Sequence, residues 1–294
     1  MESILFRYRS RQLDANDIAF VKETIARHYN MGRSHISRIL CEAWAWKQPN
    51  GKLKECATRD ILLRLEERGL VKLPPRIKPQ KNNRTKTFDQ IPLFFVNQEL
   101  SGLIKDYKEP KVRLVRDSQG CYLWDYLLYH YHYLGLPRLV GEHIRHEVLI
   151  GDQVVACLGW ASAAWKIKDR DLFVGWNEHT KRKNLHLVAN NVRFLIPPWI
   201  RIKHLASKAL SLSLRQLGSD WQETYGHPVY LAETFVDNAH FEGTCYKAAN
   251  WKYVGHTKGS AKKGNSYHYH GQPKAIYLYP LHRHFRRFLK DDQG

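Results

Sequence analysis

Between Arg145 and Leu281 the chain sets out apolar runs in an order that few folds can accommodate. RHEVLIGDQVVACLGWAS (145–162) is two apolar stretches around a Gly-Asp turn, the pattern of a β-hairpin. LHLVANNVRFLIPP (185–198) reads as a further strand, stopped by two prolines that lack the N–H a ladder needs. IKHLASKALSLSLRQLGSDWQETYG (202–226) carries Leu210, Leu214, Leu217 and Trp221 at helical spacing. PVYLAETFVD (228–237) is a buried strand again, 239–251 a short helix, and KAIYLYPL (274–281) a last strand. Strand, helix, strand in succession calls for a right-handed crossover and a parallel pair. The expected fold class is therefore α/β with a mixed sheet. Glu233, Asp237, Cys245 and Tyr246 then crowd around the end of one strand of that pair.

The 294 residues, 43% of them hydrophobic, suffice for two packed domains. The longest uncharged apolar run, VVACLGWASAAW (154–165), is too short for a membrane span, and MESILFRYRSRQ lacks the core of a secretory signal. Five cysteines without a C-x-x-C pair suit reduced thiols. The expectation is a cytoplasmic protein with no membrane partner. Its formal net charge of +19 favours a polyanion, with nucleic acid first. Residues 1–90 hold 19 Lys and Arg against 10 Asp and Glu, and the other 204 hold 28 against 18, so the first segment is about twice as basic per residue.

That segment reads as three helices: 13–29 capped by Asp14, 33–46 capped by Ser34, and 54–69 ended by Gly69. VKLPP (71–75) would close it as a strand, giving a winged helix-turn-helix over residues 1–75. Its third helix would present Lys54, Thr58 and Arg59 to DNA, with Arg33 and Lys52 on the flanking backbone. RIKPQKNNRTKTF (76–88) falls within a basic linker, 76–90, where Arg84 and Lys86 could track phosphates. Lys262 and Lys263 belong to another basic stretch, in a larger domain spanning 91–294.

The strand order of that larger domain resembles the GCN5-related N-acetyltransferases, and TCYKAANWKYVG (244–255) resembles the helix and turn near the end of their fold. The resemblance implies a cleft where two parallel strands splay apart, with Asn191–Arg193 and Glu233–Asp237 facing one pocket. One departure stands out. Such enzymes hold coenzyme A pyrophosphate on a glycine-rich loop, because bare backbone must approach the phosphates closely. Here the matching stretch is PPWIRIKHLAS (197–207), without a glycine, which argues against coenzyme A as cofactor.

The longer motifs YHYLG (131–135), ACLGWASAAWKIKDRD (156–171), NLHLVANNVRFLIPPW (184–199), LAETFVD (231–237), FEGTCYKAANW (241–251) and the segment 41–75 together resemble the DruA family of Druantia anti-phage systems. That resemblance implies a role in phage defence or mobile-element biology, and partnership with other defence-system subunits, without a settled reaction. At the level of fold it is also similar to the phage Mom-type DNA-modifying proteins, which implies a DNA base as acceptor.

The candidate catalytic residues are His132 as general base or metal ligand, Glu233 and Asp237 as paired carboxylates that could tune one another or hold a divalent metal, and Tyr246 as acid. Cys245 is a weaker candidate, as a thiolate near a helix start. Asn191 and Arg193 would orient a substrate. Each has a plainer reading: a histidine bound to a carbonyl, Asp237 capping the next helix, a tyrosine and a cysteine in the core. Three functional classes stay open: a DNA-modifying transferase-like enzyme, a non-catalytic binder of DNA or DNA ends, and a metal-dependent single-strand nuclease or transposase-like enzyme. The last rests on His130-Tyr131-His132 and His268-Tyr269-His270, whose spacing would put two histidines on one strand face.

Overall fold

The computed structural model describes residues 6–8, 11–48, 51–75, 87–92, 95–137, 139, 141–263, 266–269 and 271–290. The chain divides into two compact units, Met1–Lys86 and Thr87–Gly294.

In the first unit a short antiparallel pair, β1 (Phe6–Tyr8) and β2 (Arg11–Leu13), precedes α1 (Ala15–Arg27), α2 (Gly32–Ala43) and α3 (Glu55–Glu67). Asp14 caps α1 as expected: its Oδ1 accepts the Asp17 N–H at 2.8 Å while Asp17 returns the bond to the Asp14 N–H at 3.3 Å. Ser34 does not cap α2, because the helix starts two residues earlier. Leu13, Val21, Ile36, Leu40, Ile61 and Leu65 are sealed in one core. Gly69, at φ +70, ends the α3 turn in the left-handed region that glycine adopts without strain. The strand expected at Val71–Pro75 does not form. Val71 and Leu73 turn into the core, the Leu73 N–H is taken by Glu66 Oε1 at 2.9 Å, and the two prolines have no N–H to offer.

In the second unit β3 (Leu100–Leu103), β4 (Lys111–Leu114) and α4 (Ser118–Tyr131) lead into the hairpin of β5 (His143–Ile150) and β6 (Gln153–Ser162). Two short helices, α5 (Lys168–Val174) and α6 (Glu178–Asn184), precede β7 (Val188–Leu195). Then come β8 (Ile200–Lys203), the long α7 (Leu205–Tyr225), β9 (Leu231–Asp237), α8 (Thr244–Ala248), β10 (Lys252–His256), β11 (Ser260–Lys263), β12 (Ser266–Tyr269), β13 (Lys274–Pro280) and α9 (Phe285–Lys290). The seven-stranded sheet runs β10-β13-β9-β7-β6-β5-β4. All its neighbours are antiparallel except β7 and β9, the parallel pair that the crossover through α7 demands.

Side-chain alternation divides the core between the two faces. Leu158 and Trp160 of β6, Ala232 and Val236 of β9 and Tyr277 of β13 pack with α7. Leu231, Ile276 and Leu278 point the other way, onto α5 and α9. Leu210, Leu217 and Trp221 of α7 are fully buried or nearly so, each side chain contributing about 1.5–3 kcal/mol. A polar knot pins the helix in register. His146 of β5 reaches Ser213 Oγ at 2.8 Å with Nδ1 and Asp220 Oδ2 at 2.9 Å with Nε2, and Trp160 Nε1 donates to Ser213 Oγ at 2.9 Å.

The feature that opens the sheet lies on β7. Its register against β6 shifts between Gly159/Arg193 and Trp160/Asn191, leaving Val192 as the extra residue of a bulge. Asn191 Nδ2 donates to the carbonyls of Gly159 and Arg193, both at 3.1 Å, and the Thr234 hydroxyl donates to the Asn191 carbonyl at 3.1 Å. With those acceptors satisfied by side chains, the β7–β9 ladder runs from Val188↔Leu231 to Asn191↔Thr234 and stops. Beyond it the strands part.

Candidate functional site

The parting strands open a cleft of about 530 Å³. One wall is the bulge and end of β7, another the end of β9, and the lips are the turn after α4 (Tyr131–Leu134) and the segment from Phe241 to Tyr246. The structure thus brings His132, Asn191, Arg193, Asp237 and Tyr246 to one cavity and leaves Glu233 out of it.

Glu233 is fully buried beside the cleft. One of its oxygens accepts from Arg170 Nη1 at 2.8 Å and the other from the Ala164 N–H at 2.9 Å. It faces α5, so the expected pairing of Glu233 with Asp237 is corrected: the fully buried Arg170, 63 residues away in sequence, claims it. Asp237 turns the chain. Its Oδ1 accepts the Ala239 N–H at 3.1 Å, and its Oδ2 lies 3.4 Å from His240 Nδ1.

Tyr246 is buried, and its hydroxyl donates to Asn191 Oδ1 at 3.0 Å. Burial pushes its phenol further above the ordinary tyrosine range. Asn191 is saturated by this bond and its two bonds to the bulge, so it shapes the cleft and has little left for a ligand. Burial also raises the Cys245 thiol, which removes it as a ready thiolate. Arg193 donates to three carbonyls, those of Gly135 at 2.9 Å, Val192 at 2.8 Å and Leu134 at 3.4 Å, and so ties the 132–135 turn to β7.

His132 follows α4 directly, and its Nδ1 accepts the Leu134 N–H at 3.1 Å. That bond places the ring proton on Nε2. Burial, with Arg193 adding to it, lowers the imidazole to about 4, so the ring is neutral at pH 7 and presents a donor. The general-base assignment does not fit this geometry. Neither does the nuclease pattern: His130 and Tyr131 lie on a helix, and His130 Nε2 contacts the Phe88 carbonyl at 2.9 Å. His270 lies outside the described residues. Asp237 of the cleft has His240 beside it, and among the described residues no three potential metal ligands come together.

Sequence reasoning missed the aromatic mouth. Tyr133 and Phe241 are 46% and 51% exposed, and the Tyr133 ring centroid lies 5.2 Å from those of Phe241 and His240 and 5.0 Å from that of His132. The run YHYHYLG, three tyrosines in a chain segment leaving a helix, was the available signal.

The cradle expected of this fold is absent in kind. β8 occupies the stretch between β7 and α7 and pairs in parallel with β3, Leu100 to Ile200 through Leu103 to Lys203. The Leu100 N–H bonds the Trp199 carbonyl at 3.1 Å. A segment drawn into a ladder and carrying side chains at every position does not offer the bare backbone that a pyrophosphate requires. The residues present do not fit coenzyme A.

In the first unit one expected DNA contact, Thr58, is corrected. Thr58 is fully buried and donates to the Lys54 carbonyl at 3.3 Å. Arg33 is held by the Pro74 carbonyl at 2.7 Å and by Glu66 at 3.5 Å. Lys52 is exposed, Lys54 stands at the start of α3 with its ammonium 5.8 Å from the Trp46 ring, and Arg59 reaches Cys56 Sγ at 3.1 Å and Ser34 Oγ at 3.5 Å. Arg84 and Lys86 lie outside the described residues, and Lys262 and Lys263 are described only as backbone of β11.

The profile of the DruA family, described as Druantia protein DruA, matches residues 64–266, more than two thirds of the chain. The chain belongs to the DruA family. No curated protein matches the sequence. Among solved structures it is similar to an aminoglycoside acetyltransferase in complex with coenzyme A, at 12% identity over 60% of this chain and 96% of that one, TM-score 0.38. It is also similar to a Bacillus subtilis acetyltransferase in complex with coenzyme A, at 7% over 59% and 100%, TM-score 0.37. At such identities neither the coenzyme nor the acceptor of those enzymes carries over to the DruA chain. No helix among the described residues is long and apolar enough to cross a membrane.

Proposed function

We propose that this DruA protein is a DNA-binding component of an anti-phage defence system, and that its cleft grips an unstacked base rather than transferring a group to it. The observation that carries this reading is the lining of the cleft, which includes the half-exposed rings of Tyr133 and Phe241 together with Arg193. Base–aromatic stacking tolerates any sequence because every base has a π-face, and a cation beside it attracts the phosphate that follows. Inside, His132 Nε2–H is a neutral donor suited to a base edge. The groups that would move protons are engaged: Glu233 with Arg170, and Tyr246 with Asn191.

Family membership supports the defence role and the partnership with other subunits of such a system. The net charge of +19 supports a nucleic-acid partner. Lys52, Lys54 and Arg59 near the start of α3 support the first unit as a second point of contact with phosphate, in the manner of a helix-turn-helix.

The test is fluorescence anisotropy of the full chain with labelled single- and double-stranded oligonucleotides across a salt series. Binding should weaken steeply as salt rises. Tyr133→Ala combined with Phe241→Ala should cost single-strand affinity about 1–3 kcal/mol per stacked base, with the unfolding midpoint unchanged. Single-strand binding indifferent to both substitutions would overturn the assignment of the cleft.

A further inference from the structure

A larger cavity, about 1080 Å³, opens on the face of the sheet that carries α5. Phe235 of β9 lines both this cavity and the first cleft. The floor is apolar, formed by Phe235 with Ile276 of β13, Trp176 and Leu172. Leu172 is 68% exposed.

The rim is cationic. Lys166, Lys168, Lys181, Lys258 and Lys274 face the cavity against two carboxylates, Asp171 and Glu178. Both carboxylates are already engaged. Lys181 holds Asp171 at 3.2 Å and Glu178 at 2.6 Å, and Asp171 also takes Arg170 at 2.8 Å and the Trp176 indole N–H at 3.1 Å. Lys168, Lys258 and Lys274 therefore add positive charge beside the apolar floor. Surface lysines are commonly interspersed with acids and ring no hollow. Here they ring one.

We propose that this cavity binds a nucleoside phosphate, with the base on the Trp176–Phe235–Ile276 floor and the phosphates on Lys168, Lys258 and Lys274. The chemistry selects the class. An apolar planar group alone would not call for the cations, and a bare polyanion would not call for the floor. The volume is ample, since pockets for ligands of this size run from about 300 to 1,000 Å³. The proposal does not depend on DNA binding at the first cleft.

The experiment is isothermal titration of the full chain with ATP, adenosine and tripolyphosphate at low salt in the presence of EDTA. ATP should bind at one site, and adenosine and tripolyphosphate each at least about tenfold more weakly, because each engages half of the cavity. Lys168→Glu combined with Lys258→Glu should weaken ATP by about tenfold or more with an unchanged unfolding midpoint, both side chains being exposed. Tyr133→Ala, in the other cleft, should leave ATP binding as it was. Three results would each overturn the proposal: no heat with ATP, tripolyphosphate binding as tightly as ATP, or ATP affinity that follows Tyr133 instead of the lysines. Loss of oligonucleotide binding with ATP binding intact would sink the first cleft's assignment and leave this one standing.

Discussion

Two regions of the second unit invert what their residue types suggest. Beneath α7, Ser213, His146 and Asp220 stand in hydrogen-bonded series, the constellation that in an open site activates a nucleophile. Ser213 and His146 are fully buried, Asp220 nearly so, and the Ser213 oxygen also accepts a tryptophan N–H. No substrate reaches it, and its work is to fix the helix on the sheet. In the cleft between β7 and β9 the groups are no more reactive by type, His132, Asp237 and Tyr246 among them, yet a ligand can enter. Access and unspent hydrogen-bonding capacity, rather than residue identity, separate a site from a structural knot.

The comparison can be broken from either side. The largest effect is expected at a second sealed group, on the α5 side of the sheet. Glu233→Ala leaves the buried Arg170 charge with Asp171 as its one carboxylate partner among the described residues and should cost about 3–5 kcal/mol in urea unfolding. A loss under about 1 kcal/mol would mean that water reaches the pair and that Glu233 belongs to a site after all. Tyr246→Phe sits on the border between the two regions. Deleting the hydroxyl leaves Asn191 Oδ1 without its donor, and about 1–3 kcal/mol of stability should go while oligonucleotide affinity per folded molecule holds. Affinity that collapses with stability intact would make the phenol a ligand-contacting group.

The smallest effect is a pH slope from the open region. His132 titrates near 4 when folded, below the ordinary imidazole value of about 6.5. As pH falls from about 6.5 to 4 the unfolded chain takes up a proton that the folded chain refuses, so stability declines through that window and levels off below it. His132→Gln should flatten the difference between unfolding curves at pH 7 and pH 5. An unchanged slope would place the ring in water.

Much of this architecture was legible because it is local. The hairpin, the double-proline stop after β7 and the long α7 each announce themselves within a few residues, and the crossover rule turns them into a parallel pair. The helix α4 was not legible. Leu123 through Leu128 are buried without interruption, so its helical period is hidden in an apolar run. That omission left His132 without an environment, and its Nδ1 acceptor bond could not be foreseen. Alternation along β9 put Glu233 and Asp237 on one face, but the partner that claims Glu233 comes from α5, and sequence distance conceals such meetings. Thr58 fell to the same blindness: its helix was read correctly, and the face it turns inward was not.

The pairing of β3 with β8 bears on how readily the stretch before α7 could be reshaped. Glycine placed beside Trp199 would ease the backbone, yet the neighbouring strand would remain bonded in its place. Opening this stretch to a ligand would require two independent steps, and the first would loosen the protein before any benefit came from the second. A segment closed by a whole strand, instead of by a single contact, resists change from either side.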